Sequence, residues 1–284
     1  MKIVSPLRYP GGKAKFFTAF TALIEDNSLL GCGYREPFAG GAGLAILLLC
    51  HGYVDKIVLN DIDAGVASFW KQLVSDPDDL CRRIASCSMS VEEWQRQRRI
   101  YDDATGFGNP ELAFATFFLN RTSRSGIIAG AGPIGGYAQT GKWKIDARFN
   151  ADALIANIMR LARFSEKIEV TNEDALDCLT KSTRGELIYI DPPYYEKGQR
   201  LYRNFYNHSD HVEIQNAILK CKTKNWVVSY DAVDEIRNIY KDFSPHVVEL
   251  LYSAGKHRTA KELVYLSENL NVPKLWDSSS QCAA

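Results

Sequence analysis

The chain has 284 residues, 46% apolar and 24% charged, with 34 basic and 34 acidic side chains. That is ordinary for one large globular domain, or one domain with a sizeable insertion. Zero net charge excludes a global pull toward nucleic acid or an anionic membrane, so a DNA partner would need a local basic face. No apolar run approaches the roughly 20 residues that span a bilayer; the longest, "LAILLLC" from Leu44, reads as core. The opening "MKIVSPLRYPGGK" lacks a signal peptide's apolar stretch and cleavage site. Seven scattered cysteines, none at C-x-x-C spacing, point to free thiols in a reducing cytoplasm, not to a zinc knuckle or disulfide framework.

In chain order, "REPFAGGAGLAILLLCHG" predicts a short strand, a glycine turn and an apolar helix closing near Gly52. "DKIVLNDID" predicts a buried strand ending in acids, and "AGVASFWKQLVSDP" a helix that stops before Pro77. Strand, glycine turn, helix, strand and acid, in that order, begin an open parallel α/β sheet. From Pro77 to Phe164 the pattern changes. "SVEEWQRQRRIYDDA" is a helix with a charged face and a capping box from Ser90 and Glu93. "PELAFATFFLNRTSRSG" is an apolar helix that turns basic, and "GIIAGAGPIGGYAQTG" is too rich in glycine for a long regular element. "FNADALIANIMRLARFSE" returns to helix.

The sheet resumes with a strand and helix in "KIEVTNEDALDCL" and a strand in "ELIYIDPPYY". "HVEIQNAILKCKTKNWVVSYD" adds a helix and a strand, and "HVVELLYS" with "KELVYLSEN" forms a terminal antiparallel pair. Residues 1–76 and 165–284 thus read as one sheet domain, with a mostly helical subdomain inserted at 77–164. The tail "DSSSQCAA" reads as frayed.

Three motifs could carry chemistry. "EPFAGGAG" sets Gly40, Gly41 and Gly43 between a strand and a helix, where a ligand can approach backbone and helix N-terminus closely. Asp61 follows about 20 positions later at the end of the next strand, where an acid can accept ribose hydroxyls. The combination fits an adenosine-type cofactor or a turn that is merely tight. "RYPGGK", Arg8 to Lys13, looks superficially like a phosphate loop. It lacks the first glycine, and Ala14 replaces the hydroxyl residue, so in isolation it reads as a surface turn. "DPPYY" ends a buried strand. Two prolines fix the backbone and remove two N–H donors. The Asp191 and Pro192 oxygens are then free to accept from an amino group, with Tyr194 beside them as a flat stacking surface. The bland alternative is a strand-end turn with a packed tyrosine.

Taken together these motifs resemble the adenine-specific DNA methyltransferases, the Dam-like, DPPY-type N6-adenine methylase family, over nearly the whole chain. The resemblance implies a Rossmann-like α/β sheet dependent on S-adenosylmethionine (SAM), with an inserted, mostly helical target-recognition subdomain at 77–164. Cofactor residues carried over from it are Tyr9 and Lys13 in "RYPGGK", Pro37, Gly40, Gly41 and Gly43 in "EPFAGGAG", Asp61 in "NDID", Asp174 in "NEDALD", and Asp191. Asp191, Pro192 and Tyr194 are the implied catalytic residues. "FFLNRTSRSG" with "GPIGG" resembles the start of the recognition region and "HRTAKELVYLSEN" the closing hairpin.

The implied acceptor is the N6 amino group of an adenine flipped out of double-stranded DNA. Basic residues at Arg121, Arg124, Lys197, Arg200 and Arg203 are candidate DNA contacts, while "WQRQRR" and "GKHRTAK" read more readily as solvated faces. The expected form is a monomer, with room for a cognate restriction endonuclease and none for a membrane. Other readings stay open: cytosine N4, RNA or a protein amide as acceptor. A nicotinamide oxidoreductase would leave "DPPY" without a task, and a non-enzymatic nucleic-acid binder would leave the cofactor motifs without one. Cytosine carbon-5 chemistry needs a nucleophilic cysteine, typically after proline, and no cysteine here follows one. Tyr195 has no assignment.

Overall fold

The computed structural model describes residues 4–9, 12–104, 106–128, 130–196, 206–252 and 258–276. Seven strands are β1 (Cys32–Glu36), β2 (Val54–Asn60), β3 (Ile168–Thr171), β4 (Leu187–Ile190), β5 (Asn225–Asp231), β6 (His246–Tyr252) and β7 (Arg258–Leu266). They form one sheet in the order β3-β2-β1-β4-β5-β7-β6. The first five pair in parallel, and β7 runs antiparallel to both β5 and β6. The order reverses at β1, whose neighbours are β2 on one side and β4 on the other. Open α/β sheets bind ligands beyond the strand ends at such a switch point.

β4 reads as an unbroken apolar run because both its faces are covered. Leu187 and Tyr189 enter one apolar cluster, and Ile188 and Ile190 enter the other. The same alternation separates Val227 from Val228 on β5 and Val264 from Leu263 on β7. Helices α1 (Phe17–Asp26), α2 (Gly43–Cys50) and α3 (Ala64–Ser75) supply the first cluster. α8 (Ala175–Thr180), α9 (His208–Lys220) and α10 (Asp234–Ile239) supply the second.

Among the described residues, four α-helices lie between α3 and β3: α4 (Pro77–Ser86), α5 (Val91–Asp103), α6 (Pro110–Thr122) and α7 (Ala151–Ala162). They share the first apolar cluster with the sheet. Phe117 of α6 stacks on Phe69 of α3 with ring centroids 5.6 Å apart. The fold is therefore a Rossmann-like α/β sheet carrying a helical insertion. Among the described residues, no helix is long and apolar enough to cross a membrane.

Two local expectations change. Pro77 does stop α3, but it also opens α4 at once. Proline suits the first helical turn, and the Asp76 carboxylate caps the new helix at the Asp79 N–H (3.0 Å). At α5, Ser90 caps as expected, accepting from the Glu93 N–H at 3.1 Å. The Glu93 carboxylate turns instead to Arg96 and Gln97 on the next turn. The reciprocal capping box sits at α9, between Asn207 and Asp210.

Candidate active site

The β1–β4 switch point opens into a cavity of about 1170 Å³, mouth included. Its walls bring together Tyr9, Lys13, Gly40, Gly41, Gly43, Asp61 and Asp191 from four separate motifs. Pro37 lies just outside the wall. Its carbonyl accepts from the fully buried Asn60 side chain, which also bonds Thr171 and Glu173 and so ties the ends of β1, β2 and β3 together.

The glycine turn is fixed from several sides. The Gly40 N–H donates to Asp61 Oδ2 (2.8 Å), and the Gly40 carbonyl accepts from Trp70 Nε1 (2.9 Å). Gly40 has φ +45°, and a Cβ there would lie 2.8 Å from the Tyr9 ring. Both facts demand glycine. Tyr9 of "RYPGGK" therefore lies directly on the turn, and Tyr9, Gly12 and Lys13 of that motif line the cavity.

Asp61 also accepts from the Asp63 N–H (2.9 Å). Burial, with neighbouring Asp63 adding to it, pushes the Asp61 carboxyl up to about 7. Glu36, at the end of β1, faces the same cavity. Burial pushes it up to about 8, against the opposing bonds from the Tyr34 hydroxyl (2.9 Å) and the Ala45 N–H (3.2 Å).

Across the cavity, the loop after β4 is held by a buried charge cluster. Lys13, 6% exposed, donates to Asp191 Oδ1 (2.8 Å) and to the Tyr194 hydroxyl (3.2 Å), and lies 3.4 Å from Glu262 of β7. The Tyr194 hydroxyl donates to Glu262 Oε1 at 2.7 Å. Ser229 of β5 donates to Asp191 Oδ1 (3.2 Å). Burial raises the Asp191 carboxyl above the usual range, with Lys13 opposing and Glu262 reinforcing the rise. Asp231 pairs with Glu262 across β5 and β7, and its carboxylate accepts from the Tyr195 and Glu196 N–H groups (2.9 and 3.2 Å). Tyr194 and Tyr195 thus go opposite ways. Tyr194 meets Lys13 and Glu262, while Tyr195 packs on the second cluster beside His208 and His211. That gives Tyr195 a packing role.

Several expected residues sit elsewhere. Asp174 caps α8 through the Leu176 N–H (2.8 Å), is exposed, and is absent from the cavity wall. Arg121 donates to the carbonyls of Arg148 (2.8 and 2.5 Å) and Pro6 (3.3 Å), and burial lowers its pKa to about 10. Arg124 is exposed. Lys197, Arg200 and Arg203 lie outside the described residues. Arg96 pairs with Glu93, and Arg98 lies over the Trp94 ring.

Sequence reasoning missed Glu36, Ile62, Asp63, Tyr101 and Tyr206 on the cavity wall, and Ser229, Asp231 and Glu262 behind the loop. Two of these carried a signal. Ser229 interrupts the apolar run "WVVSY", and Glu262 precedes "LVYL" at the start of a run that is buried throughout.

A Rossmann-like sheet, a glycine turn with a strand-end acid, and an acid-Pro-Pro-Tyr loop meet at the switch point, where open α/β sheets bind their ligands. The sequence model of the D12 class N6 adenine-specific DNA methyltransferases matches residues 9–254, and the chain belongs to that family. Membership implies SAM-dependent methylation of adenine in DNA. The Type II methyltransferase M1.LlaDCHI of Lactococcus lactis subsp. cremoris is 20% identical over 265 residues, covering 89% of this chain and 90% of its own. Among solved structures, PH1948 of Pyrococcus horikoshii has 13% identity and a TM-score of 0.44, with 92% of this chain and 85% of that chain covered. The rRNA methyltransferase aviRa of Streptomyces viridochromogenes has 11% identity and a TM-score of 0.38, with 89% and 84% covered. The acceptor assignment rests on the family alone.

Proposed function

We propose that the protein is a site-specific DNA methyltransferase that transfers the methyl group of SAM to the N6 amino group of a flipped-out adenine in double-stranded DNA. The observation that carries this reading is the meeting of two half-sites at one switch point. The Gly40–Gly43 turn with Asp61 stands on one side, and Asp191 and Pro193 of the loop after β4 on the other, with Pro192 and Tyr194 beside them just off the wall. The cavity wall suits SAM in its acceptors: four carboxyl groups (Glu36, Asp61, Asp63 and Asp191) stand beside one ammonium (Lys13), and a carboxyl can accept from the amino group and ribose hydroxyls of such a ligand. When bound, SAM supplies an electrophilic methyl on a positively charged sulfur.

The chain's own residues do the rest. Gly40 and Gly41 let the cofactor approach the backbone, and Asp61 accepts its ribose hydroxyls. Ile62, 44% exposed on the cavity wall, offers the adenine an apolar face. The Asp191 carboxylate and the Pro192 carbonyl accept the two hydrogens of the target amino group. That draws the nitrogen lone pair out of conjugation and toward the methyl; the new N–C bond would replace the methyl–sulfur bond, and the nitrogen would then lose one proton, for which the Asp191 carboxylate is the adjacent acceptor. Most of the acceleration comes from position and preorganised acceptors. Tyr194, its hydroxyl tethered between Lys13 and Glu262, presents its ring to the extruded base, a contact worth about 1–3 kcal/mol.

We assign target recognition to residues 77–164, with Arg124 reaching DNA. Arg121, with its donors on backbone carbonyls, fits a structural task better. Lys197, Arg200 and Arg203 stay candidates on sequence grounds. The Type II relative supports a companion restriction endonuclease.

The test is incubation with labelled SAM and three acceptors: plasmid DNA, RNA and bulk protein. The expected product is N6-methyladenine in DNA. N4-methylcytosine, or label in RNA or protein instead, would overturn the assignment.

A further inference from the structure

The segment 4–9 delivers Tyr9 to the site, yet the helical insertion holds it at every second residue. Asn157 of α7 pairs with both backbone groups of Val4: its amide donates to the carbonyl (2.6 Å) and accepts from the N–H (3.4 Å). Arg121 donates to the Pro6 carbonyl (3.3 Å). Asn120, fully buried at the end of α6, repeats the asparagine pairing at Arg8. Its Oδ1 accepts from the Arg8 N–H (2.7 Å), and its Nδ2 donates to the Arg8 carbonyl (2.7 Å). The same Nδ2 donates to the Gly126 carbonyl (2.9 Å). Gly126 closes the turn that begins at Arg124. It has φ +76°, and a Cβ there would stand 2.7 Å from the Arg8 carbonyl oxygen. One amide therefore fixes the residue beside Tyr9 and the turn carrying Arg124.

We propose that Asn120 is a positioning residue for the cofactor half of the site. It acts through the Arg8 backbone on the seating of Tyr9 against the Gly40–Gly41 turn, and it ties that seating to the 124–126 turn of the recognition segment. The inference rests on the reading of this cavity as the SAM site. Only an amide fills the role, because one end must accept while the other donates twice. A ligand that shifts the 124–126 turn then shifts the cofactor turn, and by linkage the reverse also holds.

The test is SAM titration of the full chain without DNA, on Asn120→Asp, Tyr9→Ala and the double variant. Asn120→Asp keeps the acceptor but turns a carboxylate toward two carbonyls. Its expected effect is a SAM Kd at least tenfold weaker. In the Tyr9→Ala background the same change should weaken binding less than twofold, because the route runs through Tyr9. A merely structural residue would show full effects in both backgrounds. Should Asn120→Asp fail to melt cooperatively, Gly126→Ala pushes the Arg8 carbonyl from the other side and carries the same two expectations. Wild-type SAM binding with an unchanged Kd in the single variant, or with effects that multiply fully, would overturn the link alone. A wild-type chain without SAM affinity would overturn the cofactor reading and the link together.

Discussion

The two loops that face each other across the β1–β4 gap are held in different ways. The glycine turn is fixed largely by the next strand and helix, through Asp61 and Trp70, with Tyr9 laid over it. The Asp191–Tyr194 loop is fixed by side chains distant in sequence: Lys13 before it, Ser229, Asp231 and Glu262 after it. Backbone bonds and one aromatic contact dominate the first; a buried cluster of two carboxylates, an ammonium and a phenol dominates the second. The cofactor half should therefore degrade by degrees under substitution. The catalytic half should fail as a unit, since removing one member leaves another charge buried without compensation.

The sharpest way to break this contrast is Lys13→Met, which leaves Asp191 and Glu262 facing each other. We expect kcat to fall about 100-fold or more and stability to drop by about 3–5 kcal/mol, read by single-turnover transfer and urea unfolding. Glu262→Gln keeps an acceptor for Tyr194 and removes one charge, so about tenfold in kcat is expected. Full activity in that variant would reduce the cluster to packing.

On the other side, Gly40→Ala forces a side chain into left-handed backbone and the Tyr9 ring. A loss of about 1–3 kcal/mol and weaker SAM binding should follow, read by melting with and without SAM. A melting temperature unchanged by the substitution would remove the argument for that turn's geometry.

Asp61 offers a graded readout. Its carboxyl stands at about 7 in the free protein against an ordinary 3.8. If ribose needs the ionised form, SAM affinity should rise about tenfold from pH 6 to pH 8, and Asp61→Asn should remove the part of that rise below about pH 7, where Glu36, pushed up to about 8, is still protonated. The sign for folding is opposite. A raised carboxyl favours the fold at low pH, so this contribution is lost as pH climbs from about 4 to about 7. The smallest effect belongs to Arg124→Ala, a few-fold loss of DNA affinity with the salt slope reduced by about one.

The sheet and both half-sites were legible because their signals are local. An apolar run, a glycine cluster and an acid at a strand end are read within a dozen residues, and "DPPYY" fixes its own backbone. What was not legible is pairing at long range. Nothing near Asn120 announces that its amide will meet Arg8, 112 positions away. Nothing near Glu262 announces Lys13 or Tyr194. Asp174 illustrates the converse, an expected residue engaged by the N-terminus of its own helix. Arg121 repeats the long-range case, with donors on the carbonyls of Arg148 and Pro6, 27 and 115 positions away. α4 escaped notice because a proline that ends one helix can begin the next.

The central claim is a division of labour between the two loops, and Asp191→Asn tests it most directly. The variant keeps the side-chain shape and removes the charge that receives the amino group. Single-turnover methyl transfer at saturating SAM should fall by about 10³-fold or more, a loss far larger than any accompanying change in SAM Kd. Transfer within tenfold of wild type would contradict the account.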